Sequence, residues 1–71
     1  MEIAAFQDVL RRTYVERDAE RGIDGTFRWL TEEVREVARA LRGDCDLEHE
    51  FGDVLAWVGS LANLAGVDLE R

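Results

Sequence analysis

Two pairs of carboxylates, each spaced by three residues, are the most chemically suggestive feature of the sequence. LTEEVREV contains Glu33 and Glu36, and EFGDVLAW contains Glu50 and Asp53. On a helix, residues three apart project from one flank about a turn apart. Two such pairs facing each other across a helix seam form a cluster of four carboxylates. Hard oxygen ligands of this kind suit Mg²⁺ or Mn²⁺, and a magnesium ion also accepts substrate phosphates as ligands. The spacing predicts a metal site that could serve phosphoryl displacement on a di- or triphosphate.

The second pair of acids falls in apolar surroundings. A rotation of about 100° per residue places Glu50 between Trp57 and Leu61, and Asp53 beside Leu64. An ionised carboxylate in a poorly solvated place costs several kcal/mol unless a positive group neutralises it. The nearby arginines are predicted to point elsewhere, which favours a functional role for this pair.

The other acids have a more ordinary alternative. Glu33 and Glu36 border Trp29, whereas Glu32 lies at the edge of an arginine-rich sector. Taken alone, these glutamates would be solvated or paired with arginine. Trp29 and Trp57 share the direction of the acids, so they are either core or interface aromatics or a wall that stacks on a nucleobase.

Helical periodicity and breaker residues divide the chain into three amphipathic stretches. They run from about Glu2 to Arg17, from an N-cap at Thr26 to Arg42, and from Leu47 to Ala65, with ERGIDG, Gly43, Asp44–Asp46 and Gly66 as the breaks and caps. Asp68 resembles the cap of a fourth helix that barely begins. The prediction is an all-α fold in a single domain, residues 1–71.

The faces of these helices predict how they pack. The core face of the second stretch comprises Phe27, Leu30, Val34, Val37, Ala38 and Leu41, and that of the third comprises Leu47, Phe51, Val54, Leu55, Val58, Leu61, Ala62 and Ala65. The third stretch also has a side of small residues, namely Gly52, Ala56, Gly59, Ser60 and Asn63. Small residues admit a close neighbour, so we expect this side to receive a second chain. The result would be a homodimer with a four-helix-bundle-like core.

Composition excludes several classes of function. The 71 residues have a net charge of −7, which argues against binding a nucleic-acid polymer. No apolar run approaches the roughly 20 residues that cross a bilayer, and the N-terminus lacks the layout of a signal peptide. The single cysteine, Cys45, cannot form an internal disulfide, and no base beside it supports a nucleophilic role. His49 is predicted to lie on the outer side of its helix, away from the acids. We expect a cytoplasmic protein.

EEVRE followed by EFGD resembles the E-E-x-x-E … E-x-x-D signature of the MazG-like all-α nucleoside triphosphate pyrophosphohydrolases. The flanking segments FRWLTEEVREVARAL and LEHEFGDVLAWVGSLANLAGVDLE are similar to family sequence as well. The likeness covers about Thr26 to Glu70. Both halves of the signature occur in order, on helices of suitable character, which makes the match fairly specific.

The resemblance implies a magnesium-dependent dimer, or a dimer-based tetramer, that cleaves nucleoside triphosphates between the α and β phosphates. Such enzymes release a monophosphate and pyrophosphate and remove non-canonical or surplus nucleotides. By motif position the metal ligands would be Glu33, Glu36, Glu50 and Asp53. Glu32 would orient water, so that Glu32 and Glu33 take the catalytic positions. Trp57 would lie where relatives place an aromatic against the base, and Trp29 is a further candidate because it shares the direction of the acids.

Phosphate contacts are a separate question, because related chains often carry basic residues on a further helix. This chain has no lysine, so its phosphate contacts have to come from arginine, from the metal or from a neighbouring subunit.

Two other functions fit the sequence. The first is a non-enzymatic helical dimerisation or regulatory module whose acids meet arginines of a partner. The second is a related all-α phosphohydrolase acting on dUTP or a phosphoribosyl nucleotide.

Overall fold

The computed structural model describes residues 2–43 and 46–71 and contains two α-helices. Helix α1 spans Ile3–Leu41 and helix α2 spans Leu47–Ala65. No strand occurs in the described residues, so the predicted all-α class is confirmed. Neither helix is both long and apolar enough to cross a membrane, as far as the described part of the chain goes. Asp44 and Cys45, predicted to form the loop before α2, lie outside the described residues.

Helix α1 bends sharply at Gly22. A straight helix of its 39 residues would be about 58 Å long, yet the longest dimension of the molecule is 34 Å. Gly22 has φ 74° and ψ 176°, a conformation that is essentially restricted to glycine. The bend divides α1 into a first limb, residues 3–21, and a second limb, residues 23–41. The structure therefore has two helices where the sequence predicted three, because only Gly22 leaves the helical conformation within the predicted break.

Helix α2 contacts both limbs of α1. Gln7, near the start of the first limb, bonds to Asn63 near the end of α2, with 2.9 Å between Gln7 Nε2 and Asn63 Oδ1. Trp29, early in the second limb, stacks on Trp57 in the middle of α2. The first limb therefore contacts the C-terminal half of α2, and the second limb contacts its N-terminal half.

The small-residue side of α2 packs within the chain. Gly59 and Ser60 are buried, and a Cβ added at Gly59 would collide with the Leu10 side chain of the first limb. Asn63 Nδ2 donates to the backbone carbonyl of Gln7 at 3.1 Å. The prediction that this side receives a second chain was wrong for Gly59, Ser60 and Asn63, because the first limb already packs against them, whereas Gly52 is exposed.

The predicted core face of the second limb is largely exposed. Phe27 is 56%, Val34 52% and Leu41 66% exposed. The buried side instead contains Ala40 and Thr26, which are 6% and 0% exposed. Thr26, predicted as an N-cap, lies inside α1, where its hydroxyl accepts a bond from Arg21. The error arose because the most apolar arc was assumed to face the rest of the same chain.

On α2 the predicted apolar face is likewise only partly covered, since Phe51 is 50% and Leu55 60% exposed. The described residues bury just three hydrophobic side chains almost completely, namely Leu10, Ala40 and Ala62. Much of the apolar surface that the sequence assigned to a core therefore lies on the outside of the single chain.

The ends of α2 agree with the sequence. Asp46 caps the helix by accepting from the His49 backbone N–H at 3.3 Å, and Gly66 ends it in a left-handed conformation with φ 73°. The segment after Gly66 forms a turn at Asp68 rather than a fourth helix. This tail returns to α1, where Glu70 Oε1 accepts from the Ala4 backbone N–H at 3.1 Å.

Candidate metal centre

Glu33 lies on the side of the second limb that faces α2. Burial raises the pKa of its carboxyl above the ordinary value, and the charges of Asp53 and Glu50, a side-chain hydrogen bond with Glu50 and the charge of Glu36 raise this pKa further. These causes show that the structure brings Glu33 close to the other three carboxylates of the predicted cluster. Glu33 thus faces Glu50 and Asp53 across the contact between the second limb and α2, and Glu36 lies near Glu33 on the same limb.

One oxygen of Glu50 is buried without a partner among the described residues. Its Oε2 atom is shielded from solvent and has no hydrogen-bond partner within residues 2–43 and 46–71. Buried polar atoms are almost always paired, and an unpaired buried carboxylate oxygen is costly. A cation bound between Glu50 and Glu33 would remove both this cost and the repulsion between the two carboxyl groups.

Asp53 contacts His49, which was predicted to lie away from the acids. Its Oδ2 atom lies 3.3 Å from Nε2 of His49, and possible ligand atoms of His49, Glu50 and Asp53 lie within 4.8 Å of one another. The prediction that His49 points away from the acids was wrong. The i, i+4 spacing of His49 and Asp53 is the signal that would have found this contact.

Two arginines of the second limb pair with its outer acids. Arg39 Nη1 donates to Glu36 Oε1 at 3.0 Å, and Arg35 Nη1 donates to Glu32 Oε1 at 2.8 Å. Pairing with arginine, the ordinary alternative for these glutamates, therefore occurs at Glu32 and Glu36. Glu32 lies outside the cluster, with its side chain 55% exposed.

The acids at the contact between the second limb and α2 lack arginine partners among the described residues. In the part of the chain that the structure describes, no arginine forms an ion pair with Glu33, Glu50 or Asp53. Three carboxylates at the contact between the helices are thus left without a protein cation other than the partner that His49 provides when it is protonated.

The two tryptophans stack on each other beside the acids. Their ring centroids are 5.8 Å apart and their planes differ by 11°. The guanidinium carbon of Arg21 lies 4.6 Å from the centre of the Trp57 ring. Trp57 is thus held by two neighbours, whereas Trp29 is 52% exposed and has ring surface available to a ligand.

A cleft of about 260 Å³ adjoins Asp53 on the side of the first limb. Its lining includes Asp53, Trp57 and Ser60 from α2 and Tyr14, Arg17 and Arg21 from the first limb. The contribution of the first limb to this cleft was not predicted from the sequence. The signal was available, since Tyr14, Arg17 and Arg21 follow one another at the three- and four-residue spacing of one helix face.

The family model of the MazG nucleotide pyrophosphohydrolase domain matches residues 21–71. The chain belongs to this family. The match confirms the resemblance read from EEVRE and EFGD, and it covers the whole second limb, α2 and the tail. No curated protein and no solved structure that was compared matches the chain.

The donor set fits a divalent metal of the kind that MazG-type chemistry implies. The cluster consists of hard carboxylate oxygens, one of which is buried without a partner. A magnesium ion prefers such ligands, and its positive charge would offset the repulsion between them. The residues that would hold such an ion in this MazG domain are the four that the family signature implies, Glu33, Glu36, Glu50 and Asp53.

Proposed function

We propose that this MazG-family chain is a Mg²⁺-dependent nucleoside triphosphate pyrophosphohydrolase. It cleaves an NTP or dNTP between the α and β phosphates and releases a monophosphate and pyrophosphate, which would clear non-canonical or surplus nucleotides from the cytoplasmic pool. The observation that supports this most is the meeting of Glu33 with Glu50 and Asp53, with one oxygen of Glu50 buried and unsatisfied.

The carboxylates have distinct tasks in this proposal. Glu33, Glu36, Glu50 and Asp53 hold the metal, with Glu36 kept in place by its bond to Arg39. When bound, Mg²⁺ (or Mn²⁺ in its place) polarises the phosphate oxygens and acidifies a water molecule. Glu33 orients that water from within the cluster. Glu32 does so from the outer border, where its ion pair with Arg35 fixes its position, and we expect it to matter less.

The tryptophans provide the surface for the base. The exposed ring of Trp29 offers a stacking platform, and Trp57 supports it from behind through their parallel contact. Stacking of this kind tolerates different bases, because every base has a π face.

Partners of the chain follow from its exposed apolar surface. Phe27, Val34 and Leu41 of the second limb and Phe51 and Leu55 of α2 are all at least half exposed. A second copy of the chain would cover this surface and supply the core that one chain lacks. We therefore propose a homodimer, or a tetramer built from it.

Sedimentation velocity at micromolar concentration tests the assembly. We expect a dimer or tetramer, and Phe27→Glu with Leu55→Glu should reduce its size by placing like charges in the interface. A folded monomer of the unmodified protein would refute this part of the proposal.

A substrate panel tests the reaction. Purified protein is incubated with the common NTPs and dNTPs, dUTP and a phosphoribosyl nucleotide, with Mg²⁺ or with a chelator, and pyrophosphate and orthophosphate are quantified. The expected result is metal-dependent release of pyrophosphate and a monophosphate. Release of orthophosphate, or turnover that persists in the chelator, contradicts the proposal. No turnover of any substrate would favour the non-enzymatic alternative.

A further inference from the structure

A bound triphosphate needs cationic side chains near its phosphates, and the acid cluster supplies none. The acid cluster can hold a metal, but Arg35 and Arg39 of the second limb are engaged with Glu32 and Glu36. The cleft beside Asp53 offers a different source, since it presents two arginines of the first limb to the metal-binding end of α2.

Arg21 is held rigidly at this cleft. Its Nη1 atom donates to Asp18 Oδ1 at 2.9 Å and to Thr26 Oγ1 at 3.3 Å, and its guanidinium lies over the Trp57 ring. Asp18 is only 4% exposed, so this ion pair is built into the fold rather than formed on the surface. Both bonds leave from Nη1, and arginine carries five N–H donors in all. The remaining edge of the guanidinium is available for a ligand.

Arg17 lies one helical turn before Arg21 and lines the same cleft. Among the residues that the structure describes, no carboxylate forms an ion pair with it. The charge of Asp18 is matched by Arg21, and that of Asp53 would be matched by the metal. Arg17 therefore leaves the cleft with one uncompensated positive charge directly beside the metal-binding acids.

The size of the cleft indicates which part of a nucleotide it receives. Its volume of about 260 Å³ lies below the roughly 300–1,000 Å³ of sites that enclose a whole small molecule. A planar guanidinium matches the geometry of phosphate and can bond to two of its oxygens at once. The combination of a small volume, a free cation and a neighbouring metal site fits a phosphate chain.

We propose that the first limb of α1 binds the phosphate chain of the substrate, through Arg17 directly and through Arg21 as a contact oriented by Asp18. This inference rests on the proposed function. It assigns the phosphate contacts to a segment that lies mostly outside the family match, which begins at residue 21.

The test is calorimetric binding of two probes to the Mg²⁺-saturated protein, namely pyrophosphate and α,β-methylene deoxynucleoside triphosphates of different bases. Arg17→Gln should weaken both probes by at least about 10-fold, as expected for losing hydrogen bonds to a charged group. The loss should be equal for all bases, and Arg17→Lys should retain part of the affinity. Arg12→Gln is the matched control on the same limb, because Arg12 is 70% exposed and pairs with Asp8 at 3.0 Å. It should change the affinity less than twofold.

The Mg²⁺-induced rise in melting temperature is measured for every variant in parallel, and Arg17→Gln should retain it in full. If the unmodified protein binds both probes and Arg17→Gln behaves like Arg12→Gln, the inference is wrong while the proposed function stands. A loss that varies with the base would also overturn it, because Arg17 would then contact the base. If the unmodified protein binds neither probe in Mg²⁺, the proposed function itself fails.

Discussion

The N-terminal half of α2 contacts the second limb through Glu50 and Asp53, whereas its C-terminal half contacts the first limb through Gly59 and Asn63. We call the first contact, between the second limb and Glu50 and Asp53, the acid seam. It gathers carboxylates that repel one another and leaves an oxygen of Glu50 without a partner among the described residues. The second, the packed seam, joins surfaces so close that an added Cβ would collide with Leu10. One helix thus combines a region that opposes folding with a region that stabilises it.

The difference shows how a small chain can hold a charged site. Clustered carboxylates destabilise the metal-free fold, so the helices have to be fixed by contacts elsewhere. In this chain the packed seam and the returning tail provide those contacts through Gln7. Gln7 is 3% exposed, and its side chain donates to Asn63 Oδ1 and to the Val67 carbonyl at 2.7 Å and accepts from the Leu69 N–H at 3.0 Å. The site and its support therefore lie at opposite ends of α2.

The largest expected effect comes from neutralising the α2 acids of the acid seam. Glu50→Gln combined with Asp53→Asn should abolish Mg²⁺-dependent turnover, because both changes remove charged metal ligands. It should also remove the stabilisation by Mg²⁺, which amounts to about 2.7 kcal/mol at a concentration 100 times the dissociation constant. Urea unfolding with and without Mg²⁺ measures this loss.

The matched control for this pair is Glu48→Gln on the exposed side of the same helix turn. It should retain both the turnover and the response to Mg²⁺. An undiminished response to Mg²⁺ in the double variant would show that the acid seam does not bind the ion.

The packed seam should respond to the loss of Gln7 without any change in metal binding. Gln7→Ala leaves the Val67 carbonyl and the Leu69 N–H without their partner, and we expect a loss of about 2 kcal/mol in the free energy of unfolding. Urea unfolding measures it. The gain on adding Mg²⁺ should equal that of the unmodified protein. A reduced gain would mean that the two seams are coupled rather than separate.

Two glycines of α2 should respond to alanine with opposite signs. Gly59→Ala forces the new methyl group into Leu10, and we expect it to destabilise the fold by about 1 kcal/mol after the gain in helix propensity. At Gly52 a Cβ meets nothing within 4 Å, so Gly52→Ala should stabilise the chain by up to about 1 kcal/mol. Thermal and urea unfolding compare the two. Equal effects would mean that the close approach at Gly59 is absent in solution.

Local signals predicted much of this architecture. The bounds of α2, its Asp46 cap and its Gly66 end followed from side-chain chemistry within a few residues of each boundary. The pairing of Glu33 with Glu50 and Asp53 across two helices was also expected, since apolar neighbours surround these acids in the sequence. Such features depend on local periodicity, which a single sequence displays.

The errors concern which helix face meets which neighbour. The apolar arc containing Phe27 and Val34 was assigned to the core, but within one chain the side with Thr26 and Ala40 faces inward. Periodicity shows that a face is apolar and does not show whether the same chain or another copy covers it. In this chain the bend at Gly22 determines which face of the second limb points inward. It sets the direction of the second limb, and the local sequence reveals only that a break is present.

The smallest effect tests the acid seam in the absence of metal. The pKa of Glu33 is raised above its ordinary value of 4.5, so the folded state binds this proton more tightly than the unfolded state does. Ionised Glu33 therefore destabilises the metal-free protein above its raised pKa, and the penalty disappears as the pH falls towards 4.5. Glu33→Gln should have a higher free energy of unfolding than the unmodified protein at pH 7 in chelator, and this difference should narrow at pH 5.

The control is Glu32→Gln, because the exposed pair of Glu32 with Arg35 lies outside the cluster. Its free energy of unfolding should differ from that of the unmodified protein by less than about 0.5 kcal/mol at either pH. Urea unfolding at both pH values measures these differences. Saturating Mg²⁺ should reverse the sign of the difference between Glu33→Gln and the unmodified protein, because the metal stabilises only the protein that retains the carboxylate. A difference that changes with neither pH nor Mg²⁺ would mean that Glu33 is not part of the acid seam.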